Sequence, residues 1–228
     1  KLDINNLLII GGDGSIRAAE ILEDFNINIL CIAATIDNDV NIDGFSLGFD
    51  SANNAVTNML DSIRSTSSSH NRCSIVEVMG RKCGDLSIFS GLSSGADFVI
   101  STKDDYNFDE IIESIKKIKK LKKREILVVV AENILDIDQM AKDIEKATKV
   151  ETRADKLGYL QRGAKPSAKD RVMGTILGSE AILSFENYTK GEVIYMKDEL
   201  VMKKEIKEVN KKNKKNKKDF LSYIKMVG

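Results

Sequence analysis

Residues 7–22 read LLIIGGDGSIRAAEIL: an apolar run, a glycine-rich turn and then a helical pattern. A short apolar run closed by glycines suits a buried strand, so Leu7–Ile10 is expected as a strand and Gly11-Gly12-Asp13-Gly14-Ser15 as its turn into a helix. The same alternation recurs at Ile27–Ala33, Cys73–Val78, Phe98–Ser101 and Ile126–Val130, runs rich in Ile and Val. Between them Ala52, Val56, Met59, Leu60 and Ile63 repeat at helical spacing, as do Ile111, Ile112, Ile115 and Ile118. A helix from Ala168 through Ile182 and a strand Glu192–Met196 complete the pattern. Strands alternating with helices predict an α/β fold with mostly parallel sheets flanked by helices. Ligands of such sheets gather beyond the carboxyl ends of the strands, so the loops there are the ones to read for chemistry.

The 228 residues suffice for one large domain or two modest ones. Thirty-five basic and 35 acidic residues cancel, so no global field recruits nucleic acid or an anionic membrane. Cys31, Cys73 and Cys83 form no CxxC pair and read as reduced thiols of a cytoplasmic protein. No apolar stretch reaches the ~18 residues of a membrane span, and the first residues lack a signal-peptide pattern; a soluble protein is expected. Lys211, Lys212, Lys214, Lys215, Lys217 and Lys218, broken only by Asn213 and Asn216, read as a solvated run. It carries no aromatic residue on which a base would stack, so no nucleic-acid partner is expected. A first residue of Lys rather than Met fits a processed, tagged or truncated chain.

Four loops hold residue types with chemical use. In Gly11–Ser15 the glycines let backbone N–H groups converge on an oxyanion, and the helix that follows adds its positive end. Asp13 repels phosphate unless a divalent cation lies between them, and Mg²⁺ takes one or two carboxylates plus phosphate oxygens. The same residues also suit an ordinary βα turn with Asp13 as a cap, and no Gly-Lys-Ser/Thr follows to make a Walker loop. In Thr35-Ile36-Asp37-Asn38-Asp39 two acids at i and i+2 of an extended segment share a side, which suits a general base beside a metal or phosphate group; a plain Asx-rich turn has the same composition. Arg72 and Arg81 bracket the strand Ser74–Val78, and guanidinium groups bind phosphoryl oxygens bidentately. His70 reads as a capping or packing residue, with no nucleophile motif beside it to make a triad. Glu132, Arg153 and Arg162 add an acid and two cations suited to sugar hydroxyls and phosphate.

Taken in order, GGDGS, TIDND, TSSSHNR, VEVMGRKCGD, ETR and LGYLQRG closely resemble the signatures of bacterial-type ATP-dependent 6-phosphofructokinases, from about Leu7 to Tyr195. The resemblance implies an ATP:D-fructose-6-phosphate 1-phosphotransferase that uses Mg²⁺ and releases ADP. It makes Asp37 the base for the sugar 1-hydroxyl, with Thr35 contacting the phosphoryl group and Arg81 stabilising it in transfer. Asp13, with Asp39 as a second candidate, would hold the metal, and Gly12, Asp13, Gly14 and Ser15 would line the nucleotide phosphates. Sugar contacts would come from Thr35, Ile36, Asp37, Met79, Gly80, Arg81, Glu132 and the segment Tyr159, Leu160, Gln161 and Arg162. Arg72, Arg153 and Arg162 would clamp the 6-phosphate, the first two from a neighbouring subunit of a homo-oligomer, a tetramer in the family.

The resemblance carries further expectations. Pyrophosphate-dependent relatives have aspartate where Gly14 stands and lysine where Ala34 stands, so the small residues here favour ATP. Arg64, Gly95, Asp97, Lys123 and Arg124 stand where family members bind an allosteric effector. Tyr159 replaces a usual histidine, and Ala34 and Ala164 replace glycines. Residues 1–48 and 161–210 would form the nucleotide-binding lobe, 49–160 and 211–228 the sugar-phosphate lobe. The family's first glycine-rich segment, roughly ninety residues upstream of GGDGS, has no counterpart in this chain, which implies an N-terminally incomplete enzyme. The alternative is an inactive fragment or a non-catalytic subunit that binds sugar phosphate.

Overall fold

The computed structural model describes residues 4–81, 83–104, 106–121 and 124–211. Lys123, most of the Lys/Asn run and residues 219–228 of the expected sugar-phosphate lobe lie outside them. The elements run β1 (Asn6–Gly11), α1 (Asp13–Leu22), β2 (Asn28–Ala33), α2 (Phe49–His70), β3 (Cys73–Val78), α3 (Asp85–Ser94), β4 (Phe98–Ile100) and α4 (Phe108–Lys120). They continue with β5 (Ile126–Ala131), α5 (Ile137–Thr148), β6 (Thr152–Lys156), a 3-10 helix (Gly158–Gly163), α6 (Ala168–Glu186), β7 (Glu192–Lys197), β8 (Leu200–Glu205) and α7 (Ile206–Val209). The chain forms two compact units, one holding residues 4–51 and 166–211 and the other residues 52–165.

In the first unit the sheet order is β1-β2-β7-β8, the first three strands parallel and β8 antiparallel to β7. Alternate residues of β2 serve opposite faces. Ile29, Cys31 and Ala33 join Val193 and Tyr195 against Ile16 and Ala19 of α1. Leu30 and Ile32 join Ile194 against Met173, Leu177 and Ala181 of α6. Burial on both faces is why β2 reads as an unbroken apolar run rather than an alternating one. Asp170, in the first turn of α6, is 5% exposed and accepts hydrogen bonds from Gly48 N–H at 3.0 Å, Ser51 N–H at 2.8 Å and the Ser51 hydroxyl. One carboxylate thereby satisfies donors at the start of α2 while sitting at the start of α6, where the helix dipole also favours an anion.

In the second unit the order is β4-β5-β3-β6, all parallel. Ile111, Ile112, Ile115 and Ile118 of α4 and Ile137, Met140 and Ile144 of α5 bury one face against Cys73, Ile75, Ile126, Val128 and Val130. Helix α3 packs on β4 and β5. Helix starts are set locally: the Asn107 side chain accepts the Asp109 N–H, and that of Asp136 accepts the Asp138 and Gln139 N–H groups. Each unit is therefore a mostly parallel sheet flanked by helices, the architecture expected from the alternation of runs.

Candidate active site

In the first unit, β1 and β2 are adjacent and parallel with Gly11 opposite Ala33, and Ala34 N–H donates to the Gly11 carbonyl at 2.9 Å. The GGDGS and TIDND loops thus leave the sheet side by side at its carboxyl end. Gly12 caps α1, and a Cβ placed there would stand 3.2 Å from Thr35 Cβ, so the two loops are in close contact. A Cβ on Gly14 would meet nothing within 4 Å. The Asp13 carboxylate is half-buried in the first turn of α1 and pairs with Arg17, Oδ1 to Nε at 3.2 Å and Oδ2 to Nη2 at 2.5 Å. Ser15 packs its side chain over Gly11.

The second loop is pinned from within. Asn38 takes the left-handed conformation, φ +50°, a region open to Asn because its short side chain bonds locally. Its Oδ1 accepts the Ser46 N–H at 2.9 Å, and the Ser46 hydroxyl donates to the Thr35 carbonyl at 2.7 Å. Thr35 Oγ1 accepts the Asp37 N–H at 3.2 Å. These bonds hold Asp37, 7% exposed, beside Thr35, with Ile36 and Asp39 half-buried next to it.

In the second unit, Met79, Glu132, Tyr159, Gln161 and Arg162 come together around a cavity of about 230 Å³ that Glu77, Val78 and Gly158 complete. Val78 and Glu132 are bonded across the sheet, Glu132 N–H to the Val78 carbonyl at 2.8 Å, and Glu132 Oε1 accepts the Arg81 N–H at 2.9 Å. Gly80 and Arg81 turn the chain with φ +130° and +49°. Gln161, 1% exposed, accepts the Met79 N–H and donates to the Gly158 carbonyl, at 2.9 and 3.0 Å. It ties the 3-10 helix to the end of β3 and so acts as a strut. The Arg162 guanidinium lies 5.1 Å from the centre of the Tyr159 ring, in cation–π range; Tyr159 and Leu160 are exposed.

Arg72 and Arg153 stand apart from that cavity, lining a separate one of about 490 Å³ with Ser62, Thr66, Ser67 and Ser74. Glu151 joins them: its Oε2 is 2.9 Å from Arg72 Nε and its Oε1 2.6 Å from Arg153 Nη2. Arg72 first, and Arg153 after it, hold the Glu151 carboxyl below its usual range. His70 Nδ1 lies 3.0 Å from the Thr66 carbonyl one helical turn earlier, a local contact at the end of α2. Arg64 donates to the carbonyls of Ser94 and Gly95 and pairs with Glu125 at 3.4 Å. Asp97 is buried and accepts the Leu127 N–H at 3.0 Å, while Arg124 is exposed.

Glu77 and Glu151 lie inside motifs quoted from the sequence but receive no role there, and Arg17 lies outside every motif. Each is an ordinary charged residue whose interest comes only from what its side chain faces. Among the described residues no group of three or more His, Cys, Asp or Glu is arranged to hold a metal ion, and no helix is long and apolar enough to cross a membrane. A lone Asp13 at a phosphate-type turn still fits Mg²⁺, which takes most of its oxygens from substrate and water.

The chain is 39% identical to the ATP-dependent 6-phosphofructokinase of Mycoplasmopsis pulmonis over 193 residues, covering 84% of this chain and 59% of that one. It is 37% identical to the enzyme of that name from Clostridium novyi, covering 89% of this chain and 64% of the relative. The chain thus spans about three fifths of the length of these curated relatives. The Saccharomyces cerevisiae phosphofructokinase structure superposes with a TM-score of 0.84 at 26% identity, over 90% of this chain and 32% of that one. Pichia pastoris phosphofructokinase in the T-state gives 0.85 at 27% identity, over 92% and 27%. The family model described as Phosphofructokinase matches residues 1–185, and the chain belongs to the phosphofructokinase family.

Proposed function

We propose that the protein transfers the terminal phosphoryl group of ATP to the 1-hydroxyl of fructose 6-phosphate. The observation that carries this reading is the abutment of GGDGS and TIDND at adjacent strand ends, with Gly12 against Thr35. Phosphoryl transfer asks little covalent chemistry of a protein and much positioning and charge stabilisation. Gly12, Gly14 and Ser15 offer a glycine-lined helix start to the nucleotide phosphates. Asp37 takes the proton of the attacking hydroxyl, a step that geometry favours once the Thr35–Asn38 turn is locked by Ser46. Arg81 offsets the charge that builds on the moving group.

Asp13, with Asp39 as the second candidate, would hold Mg²⁺, whose chemistry is to neutralise charge on the phosphate oxygens. Met79, Gly80 and Glu132 would meet the sugar, and Arg162 and Tyr159 its phosphate. That Arg72 and Arg153 line a different cavity of the same unit supports their serving a neighbouring subunit, and with it a homo-oligomer. The three cysteines, none in a disulfide, suit a cytoplasmic setting. The relatives' names are those of an active enzyme, which favours catalysis over a purely sugar-phosphate-binding role. The test is ADP release by the chain with MgATP and fructose 6-phosphate, run beside pyrophosphate as donor. Turnover with ATP alone is expected; turnover with pyrophosphate alone, or none from folded protein, contradicts the proposal.

A further inference from the structure

We propose that Glu77 is a further sugar-contacting residue, which with Glu132 forms the hydroxyl-accepting side of the 230 Å³ cavity while Arg162 meets the ligand's anionic end. This deepens the reading of that cavity given above and rests on it.

The strand itself singles the residue out. Cys73, Ser74, Ile75, Val76 and Val78 are buried, and Glu77 alone on β3 is half-exposed, toward the cavity. Glu132 follows β5, whose Val130 stands opposite Glu77, so the two carboxylates belong to neighbouring strand ends. No hydrogen bond to the Glu77 side chain is made by any described residue. Lys156 faces Glu77 across β3 and β6 but shares its ammonium group with Asp138, at 3.9 Å. Burial pushes the Glu77 carboxyl above its usual range, with Glu132, Asp138 and Asp136 adding to the push and Lys156 opposing it.

Partial burial already disfavours the charged form of the Glu77 carboxyl, and no described residue gives it a hydrogen bond to offset that. A polyol supplies the missing donors, and a hydroxyl bonded to a carboxylate makes a strong, charge-assisted contact. Acceptors on one side and a guanidinium on the other match a molecule with hydroxyls at one end and an anion at the other. A phosphate without a carbon skeleton would use only the second half of such a cavity.

Direct binding tests this. Titration calorimetry would compare fructose 6-phosphate and inorganic phosphate as ligands of the intact chain, of Glu77→Gln and of Lys156→Met. Loss of a hydrogen bond to a charged group should weaken fructose 6-phosphate about tenfold in Glu77→Gln, with phosphate binding and Lys156→Met within twofold of the parent. Two further readouts separate contact from scaffolding. Glu77→Gln should melt no lower than the parent, because it removes a half-buried charge. Fructose 6-phosphate affinity should rise more steeply with pH in the parent than in Glu77→Gln, since hydroxyl donors favour the ionised carboxylate while the ligand's own phosphate titration is common to both. Parent-like sugar-phosphate binding by Glu77→Gln overturns the inference alone. Equal loss of both ligands with a lower melting temperature does the same, by making Glu77 a structural partner of Lys156. A parent chain that binds no fructose 6-phosphate overturns this inference and the proposed function together.

Discussion

Asp170→Asn is nearly isosteric, and the structure sets its cost. The carboxylate accepts Gly48 N–H on one oxygen and Ser51 N–H and hydroxyl on the other, inside a site where Asp170 is 5% exposed. An amide turns one acceptor into a donor, so whichever way it is flipped a backbone N–H faces an NH₂ group. One charge-assisted bond is lost and one buried donor is stranded, which together should cost about 2–4 kcal/mol. For a chain of this size that lowers the melting temperature by roughly 5–15 °C. The change also reaches the candidate base. Gly48 follows Leu47, which exchanges backbone bonds with Ala33 and Thr35 at 2.9 and 3.0 Å, and Ser46, which secures the Thr35–Asn38 turn. Calorimetric melts of Asp170→Asn and Asp170→Ala would check this, with the alanine variant the worse of the two. A loss below about 0.5 kcal/mol in both, the range of ordinary surface changes, would refute the claim that one carboxylate joins the starts of α2 and α6.

Other outcomes follow from single sites. Gly14→Asp has open space around its new side chain, so it should fold with a melting temperature within a few degrees of the parent by roughly the scale of surface substitutions, yet lose ADP formation from ATP by placing a second carboxylate at the phosphate turn. Cys31 and Cys73 are buried, and burial pushes both thiols up to about 12; under native conditions neither should react with an aromatic disulfide reagent, while the denatured chain exposes all three cysteines. Glu151 should titrate by NMR below an ordinary glutamate, and Arg72→Gln should move its midpoint back up more than Arg153→Gln, following the order of the two contributions. Because its folded midpoint is depressed, the stabilisation from Glu151 is present above the unfolded value and fades as pH falls through the folded one.

The strands buried on both faces were the easiest to read. Residues 29–33 and Ile126–Ala131 are continuous apolar runs because helices cover both sides of their sheets. Strand β6 was not legible: TRADK has a single buried residue and exists because β3 offers it a parallel edge. Strand β8 was missed for another reason. The hairpin between β7 and β8 turns at Asp198 and Glu199 with φ +48° and +66°, a geometry that usually announces itself with Asn-Gly or Gly. At the candidate site, glycines and paired acids marked the two loops of the first unit. The roles of Gln161 and Glu77 depend on where a side chain points after folding. Gln161 sits in a conspicuous motif and proves to be an internal strut, whereas Glu77 sits in an apolar run and faces a cavity.

Asp37 is the proposed acceptor of the proton of the attacking hydroxyl. The most direct measurement is the turnover of Asp37→Asn with MgATP and fructose 6-phosphate, beside its calorimetric affinity for fructose 6-phosphate. The substitution keeps the side-chain shape and the Asp37 N–H bond to Thr35, so affinity should stay within a few-fold while kcat falls by roughly 10²–10⁴, the usual worth of a general base. A kcat within tenfold of the parent, with affinity intact, would contradict the account.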